Sequence, residues 1–518
     1  MSGMDIIFES TFPCTSVNGA SSFLEAWRAG DYPTSFDNLH RFFDYTMQNR
    51  DRSFYQYALL NLAVLEADFG SYQEAVTAMQ ETVSVARENK DMGCLNFSLS
   101  WLYHFGKAHP KVINDADKTN MLGVEREGLV FLRTKAKESG MWNLWSAALL
   151  TEAKTGLANG ESVATAFENI LRSSELSVTK NMMNNVGAQM ILQSSLWSRL
   201  GVTSLASSYC EVFLRCHAKT APFDDVLKFT CRTAYLLAEK GHYDEAMEKL
   251  GGLDADSLRP LKANQYWLMF RGILRLKRDL HKNNLDGADQ LLTQLLQCRG
   301  GDADLTFELN RLHIDAMMRG GDYQGALSKI ETLAAEQKED GEDIYFRIKL
   351  LIMKALLFDK CGRPQRGFSI AVRAAAIAWR ARLLAPLWQA VGAIANILTS
   401  LEEFEASSQV LGSVIPRALE CEDCALNAQL YSFLVDAHMG MAGLAERESL
   451  KRTENLTKAL DFIDRAFAEY SSIEDIKGQC EMMAKKATIM RLVGDMVLAN
   501  DYAAAYLALK REASQDVA

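Results

Sequence analysis

The sequence contains few residues that interrupt helices and no segment suited to a membrane. Eight prolines occur among its 518 residues, and no stretch of any length alternates apolar and polar residues as a half-buried strand does. The most apolar region, 370–387, is interrupted by Arg373, Arg380 and Arg382, which makes it too polar for a transmembrane helix. These absences predict an all-α protein without a membrane span.

The N-terminal region lacks the features of a targeting signal. It carries Asp5 and Glu9 but no lysine or arginine before Arg28, whereas secretory and mitochondrial leader sequences are basic. The ten cysteines are scattered along the chain, which in an intracellular protein indicates buried thiols rather than a disulfide framework. We therefore expect an intracellular protein.

Motifs that carry catalysis or bind cofactors are absent as well. The sequence has no phosphate-binding loop and no GxGxxG, GxSxG or HExxH motif, and its eight histidines do not cluster. The single CxxC motif, Cys421 to Cys424, has no second pair of ligands at the spacing of a zinc site. We interpret it as a turn, and we expect a non-catalytic protein without a metal or other cofactor.

Two sets of basic residues stand out in a chain whose net charge is −10 and whose pI is about 5.5. The sets are Arg366, Arg373 and Arg380, and Arg271, Arg275, Arg278 and Lys282. Within each set the spacing places the charges on one face of a helix. The acidic balance argues against nucleic acid as the main partner, so each face is a candidate docking surface for an acidic protein segment. The alternative is a solvated face that keeps the protein soluble.

A turn motif returns about every 40 residues. Its clearest copies are Gly70-Ser71-Tyr72-Gln73-Glu74-Ala75, Gly241-His242-Tyr243-Asp244-Glu245-Ala246 and Gly321-Asp322-Tyr323-Gln324-Gly325-Ala326. Weaker copies begin at Gly160, Gly201, Asn283, Gly362 and Glu402. A fixed period of this length is typical of stacked repeats, which bind or scaffold more often than they catalyse.

Small residues predominate at one position on each side of the motif: six of eight before it are Ala or Ser, and seven of eight after it are Ala, Gly or Ser. Seven residues before the first motif position lie Ala63, Ala153, Ser194, Ala234, Leu276, Ile314, Ala355 and Ala395. Five residues after it lie Ala75, Thr165, Ala206, Ala246, Ala288, Ala326, Gly367 and Ser407. Two antiparallel helices approach closely only where the facing side chains are small, and glycine permits the left-handed end of the first helix. Each unit is therefore predicted to be a helix, a turn and a second helix, in contact only with its neighbours, and the motif aromatic is expected to wedge between the two helices.

These patterns divide the chain into four segments. Residues 1–35 are expected to be an irregular lead-in, and 36–110 to hold the first repeat. Residues 111–512 are expected to form the solenoid, with a polar loop near 173–185, and 513–518 to be a frayed tail. Pro416 falls inside a predicted helix, which it should kink or end early.

The repeat pattern resembles that of tetratricopeptide repeats, whose usual period of about 34 residues is shorter. One segment is more specific. It contains Asn38-Leu39-His40-Arg41-Phe42-Phe43-Asp44-Tyr45, Tyr57-Ala58-Leu59-Leu60-Asn61-Leu62-Ala63, the Gly70 motif and Leu99-Ser100-Trp101-Leu102-Tyr103. This segment resembles the signature region of the family of subunit 5 of the anaphase-promoting complex, or cyclosome.

The resemblance implies a right-handed superhelical scaffold in a multisubunit RING-type ubiquitin ligase that acts in mitosis. It implies contacts with the large subunit 1, subunit 4 and the small subunit 15, and a place in the nucleus and cytoplasm. Members of that family usually have a helical domain before the signature region. Here about 35 residues precede it, so either that domain is lost or the sequence is truncated.

The alternative is a free-standing repeat adaptor, such as a chaperone cofactor or a transcription regulator. Adaptors of that kind grip a terminal carboxylate with Lys, Arg and Asn side chains from successive first helices of the repeats. Ala58, Asn61, Arg232 and Arg311 do not form a consistent set of that kind.

Overall fold

The computed structural model describes residues 17–48, 55–109, 112, 125–297, 302–340, 343–446 and 449–515. Within these ranges the regular structure is entirely helical, and the predicted all-α solenoid of tetratricopeptide-like repeats is confirmed. No described helix is long and apolar enough to cross a bilayer.

The first half of the described chain forms twelve α-helices. They are α1 (Val17–Ala29), α2 (Tyr32–Gln48), α3 (Tyr55–Phe69), α4 (Tyr72–Glu88), α5 (Met92–Ala108), α6 (Glu125–Glu138), α7 (Trp142–Ala158), α8 (Val163–Thr179), α9 (Val186–Arg199), α10 (Thr203–Cys216), α11 (Phe223–Glu239) and α12 (Tyr243–Gly251).

The second half forms twelve more, with one 3-10 turn at Leu419–Cys421 between α20 and α21. They are α13 (Leu261–His281), α14 (Leu285–Gln297), α15 (Ala303–Gly320), α16 (Tyr323–Asp340), α17 (Ile344–Lys360), α18 (Pro364–Arg380), α19 (Leu384–Ser400), α20 (Phe404–Ala418), α21 (Cys424–Leu444), α22 (Leu450–Ser472), α23 (Ile476–Val493) and α24 (Met496–Gln515).

The small residues that flank the turn motif meet each other between α9 and α10 and between α19 and α20. The Ser194 hydroxyl on α9 donates to the Ala206 carbonyl on α10 at 2.9 Å, and the Ser407 hydroxyl on α20 donates to the Ala395 carbonyl at 2.8 Å. The predicted small-residue contact is therefore confirmed in these pairs. Before the turns at Asn283 and Gly321 the corresponding residues are the larger Leu276 and Ile314, both buried. Thr165 is exposed, and the neighbouring Ala166 is buried in its place, because α8 begins one residue later relative to its turn.

The first position of the turn motif has a left-handed backbone in strong and weak copies alike. Gly241 has a φ of 87° and Gly321 a φ of 88°, while Asn283 and Glu402 have φ values of 58° and 67°. The weak copies at Asn283 and Glu402 are therefore true turns of the repeat, in which a residue other than glycine bears the strain of this conformation.

The motif aromatics Tyr72, Tyr243 and Phe404 contact the next unit. Tyr243 also belongs to a buried cluster with residues of its own helix pair, whereas Tyr323 is 37% exposed. Tyr72 on α4 stacks against His109 just after α5, with ring centroids 4.1 Å apart. Phe404 on α20 covers Gly440 of α21, where a Cβ atom would lie 2.3 Å from its ring. The first three aromatics therefore join successive units.

Several predicted boundaries are wrong. Helix α1 and the start of α2 lie within the segment expected to be irregular, although residues 1–16 lie outside the described ranges. Helix α8 continues into the first half of the predicted loop and ends at Thr179, and α24 reaches Gln515 within the predicted tail, of which 516–518 are not described. Pro416 lies inside α20, which ends two residues later; its missing N–H removes one i→i−4 hydrogen bond from the last turn of the helix.

The expectation that each unit touches only its neighbours is also wrong. The Arg199 guanidinium donates to the Ala381 carbonyl, 182 residues away, and the Thr203 hydroxyl donates to the Cys421 carbonyl, 218 residues away. Five periods of the repeat span about 200 residues. One full turn of the superhelix therefore takes about five units. We call each full turn a coil; loops between helices in one coil contact loops in the next.

Candidate docking surfaces

The two arginine sets are placed differently by the fold. Arg366, Arg373 and Arg380 on α18 are exposed, and none of them forms an ion pair with a carboxylate of the described residues. They lie along one side of the helix, about 10 Å apart for each seven residues. This part of the sequence prediction, a row of unneutralised charge on a helix face, agrees with the geometry.

The α13 set is divided between solvent and structure. Arg275 is exposed, and the exposed Arg271 lies over the Trp267 ring with its guanidinium carbon 5.1 Å from the centroid. Arg278, in contrast, makes two hydrogen bonds of 2.7 Å to the Glu474 carboxylate. This bidentate pair raises the pKa of Arg278. Its guanidinium therefore belongs to the contact between successive coils of the superhelix.

That coil contact is centred on the turn between α22 and α23, residues 473–475. Besides Arg278, Arg319 approaches the Asp475 carboxylate at 3.3 Å and donates to the Leu280 carbonyl at 2.8 Å. His281 Nδ1 lies 3.1 Å from the Ile473 carbonyl oxygen. Burial lowers the pKa of His281 to about 4, so its imidazole is neutral at pH 7 and donates to this carbonyl from Nδ1. We call this cluster the coil contact.

Charged side chains on α13, α15 and α17, the first helices of successive units, lie close enough to influence one another. On α15 the Arg311 guanidinium holds the Glu308 carboxylate at 2.5 Å. Although burial by itself raises the pKa of Glu308, this guanidinium lowers it to about 2. On α17, burial and then Arg311 lower the pKa of Lys349 to about 8. Because Arg311 is already paired, it is not available to grip a terminal carboxylate.

The CxxC segment has a structural role. Cys421 is buried at the end of the 3-10 turn, and burial raises the pKa of its thiol to about 12. The Asp423 side chain accepts from the Leu426 N–H and caps α21. Among the described residues no cluster of three His, Cys, Asp or Glu side chains has the geometry of a metal site. The interpretation of the segment as a turn is confirmed.

The fold and these surfaces define a helical-repeat protein of the tetratricopeptide type. Within that class, the family model described as "Anaphase-promoting complex subunit 5" matches residues 20–109. The resemblance predicted from the signature segment is therefore confirmed, and the match begins earlier than that segment.

Individual relatives extend the similarity into the solenoid. The protein named anaphase-promoting complex subunit 5 of Schizosaccharomyces pombe is 28% identical over 319 residues, which cover 61% of this chain and 42% of the relative. The protein of the same name from Gallus gallus is 25% identical over 293 residues, covering 52% and 36%. The chain thus matches less than half of the length of these curated relatives.

A solved structure described as the APC/C hetero-tetramer Cut9–Hcn1 aligns with 95% of this chain and 96% of its own. Its sequence identity is 9% and its TM-score 0.42.

Proposed function

We propose that this chain is a non-catalytic scaffold subunit of the anaphase-promoting complex, the ubiquitin ligase that drives progression through mitosis. The observation that carries the proposal is the similarity to subunit 5 proteins, through a family model over residues 20–109 and a relative that aligns with 61% of the chain. By the same resemblance the expected partners are the large subunit 1, subunit 4 and the small subunit 15, in the nucleus and cytoplasm.

The shape of the chain suits such a role. A superhelix whose coils contact one another presents fixed surfaces, so that partners bound at separate units are held at set distances. On the first helix of one unit Glu308 is paired with Arg311, and among the described residues no cluster of three His, Cys, Asp or Glu side chains has the geometry of a metal site. This favours a scaffold over an enzyme and over a clamp for terminal carboxylates.

Affinity purification of the tagged chain from its own cells, followed by quantitative mass spectrometry, tests the proposal. We expect the large subunits of the ligase to be enriched over a purification with the tag alone. Enrichment of chaperones or transcription factors without any ligase subunit would favour the adaptor alternative and contradict the proposal.

A further inference from the structure

The outer side of α18 combines positive charge with exposed apolar groups. Residues 361–401 contain five arginines and no aspartate or glutamate, in a protein of net charge −10. Phe368, Val372 and Trp379 on the same helix are 37%, 43% and 50% exposed. Large apolar side chains that stay in solvent beside a basic row mark a surface that another molecule covers.

These groups repeat every seven residues along the helix. Arg366, Arg373 and Arg380 form one row, and Val372 and Trp379 lie in a second row. Between the two rows lie the small residues Ser369 and Ala376, which are exposed and are also seven apart. A seven-residue repeat of this kind is the spacing at which one helix packs along another, and small residues let the two axes come close.

A depression of about 190 Å³ adjoins the arginine row between α16, α17 and α18. Ile330, Leu350 and Leu351 supply apolar walls, and Arg373 stands at its edge. Two more cations line it, Arg347 and Lys354, the second paired with Glu331 at 2.9 Å. By helical spacing Arg347 and Lys354 lie on roughly the opposite face of α17 from Lys349, so the depression is separate from the charged cluster of Glu308, Arg311 and Lys349.

We propose that this face of α18 docks an acidic, amphipathic helix of a partner protein. Acidic side chains of that helix meet the arginine row, apolar ones meet Phe368, Val372 and Trp379, and one bulky side chain enters the depression. The inference rests on the proposed scaffold role, which requires partner contacts. Its chemistry differs from that of nucleic acid, whose phosphates match the arginines but leave the apolar row uncovered.

Binding of synthetic helices to the purified full chain, followed by fluorescence polarisation, tests the proposal. The probe is a helical peptide as long as α18, 17 residues, with glutamates along one side and leucines along the adjacent side. Matched peptides carry lysine for glutamate or serine for leucine, and a single-stranded RNA oligonucleotide is the fourth ligand. We expect only the first to bind, with an affinity that falls as salt is added.

Variants locate the site. Charge reversal at Arg373→Glu with Arg380→Glu should weaken binding by about tenfold or more, since two attractions become repulsions. The matched control, Lys219→Glu with Lys228→Glu, reverses two exposed charges outside both arginine sets; it should bind as the wild type does, and circular dichroism should be unchanged in both.

Failure of the acidic peptide to bind, equal loss in the control, or tighter binding of the RNA would overturn the proposal. Because the chain is tested alone, this result is independent of whether ligase subunits co-purify with it.

Discussion

At the scale of the residue, the turn glycines have two separate reasons to be glycine. Gly241 and Gly321 share a left-handed backbone, with φ values of 87° and 88°. A Cβ atom at Gly241 would lie 2.5 Å from the Ser472 carbonyl oxygen of the next coil, whereas at Gly321 nothing lies within 4 Å. Gly241 therefore has to be glycine both for its backbone conformation and for lack of space, whereas Gly321 has to be glycine for its backbone conformation alone.

Alanine substitution at the two positions separates these effects. Gly321→Ala should lower the free energy of unfolding by about 1–2 kcal/mol through backbone strain. Gly241→Ala should cost about 1–3 kcal/mol more, because the contact with Ser472 must open. Thermal unfolding of both variants checks this. Equal melting temperatures would show that the coils are not in contact at Gly241.

At the scale of the element, the helix pairs could be predicted from the sequence and the coil contact could not. The pairs depend on local signals, such as a left-handed turn at Gly70 or a small residue at Ala395, which recur at fixed spacing. Arg278 and Glu474 are 196 residues apart, and no local pattern in the sequence relates them. In the same way, the spacing of Arg366, Arg373 and Arg380 predicted their shared face, but the depression beside Arg373 needs three helices to form.

The packing of α13 against the turn 473–475 makes stability depend on pH. His281 has a folded pKa of about 4, lowered mainly by burial, against about 6.5 in the unfolded chain. Its neutral form stabilises the contact fully above pH 6.5, and the stabilisation is lost as the pH falls, because the unfolded chain then binds the proton more tightly. Asp475, Lys277 and Arg319 are the charges that face it.

Thermal unfolding between pH 7 and pH 5 measures the contribution of His281 to the free energy of unfolding. Between these values the wild type should lose about 2 kcal/mol of stability through His281. His281→Gln keeps a side chain that donates a hydrogen bond but does not titrate, so its melting temperature should fall less. Parallel pH profiles for the two proteins would assign the loss to other groups.

At the scale of the whole molecule, the coil contact fixes the pitch of the superhelix, because it joins repeat units that are distant in sequence. A solenoid held only by neighbouring units can stretch or bend as a spring does. Here the Arg278–Glu474 and Arg319–Asp475 pairs join turns about five units apart. A scaffold built in this way holds its partners at distances that do not depend on which of them has bound first.

Small-angle X-ray scattering of the purified chain and of charge variants tests this closed coil most directly. The wild type should give the curve calculated from the structure. Arg278→Glu should increase the radius of gyration, because like charges then face each other across the coil contact, and Arg278→Glu with Glu474→Arg should restore it. Arg275→Glu, one turn away and exposed, is the matched control and should leave the curve unchanged. An extended wild type, or an Arg278→Glu variant as compact as the wild type, would contradict the closed coil.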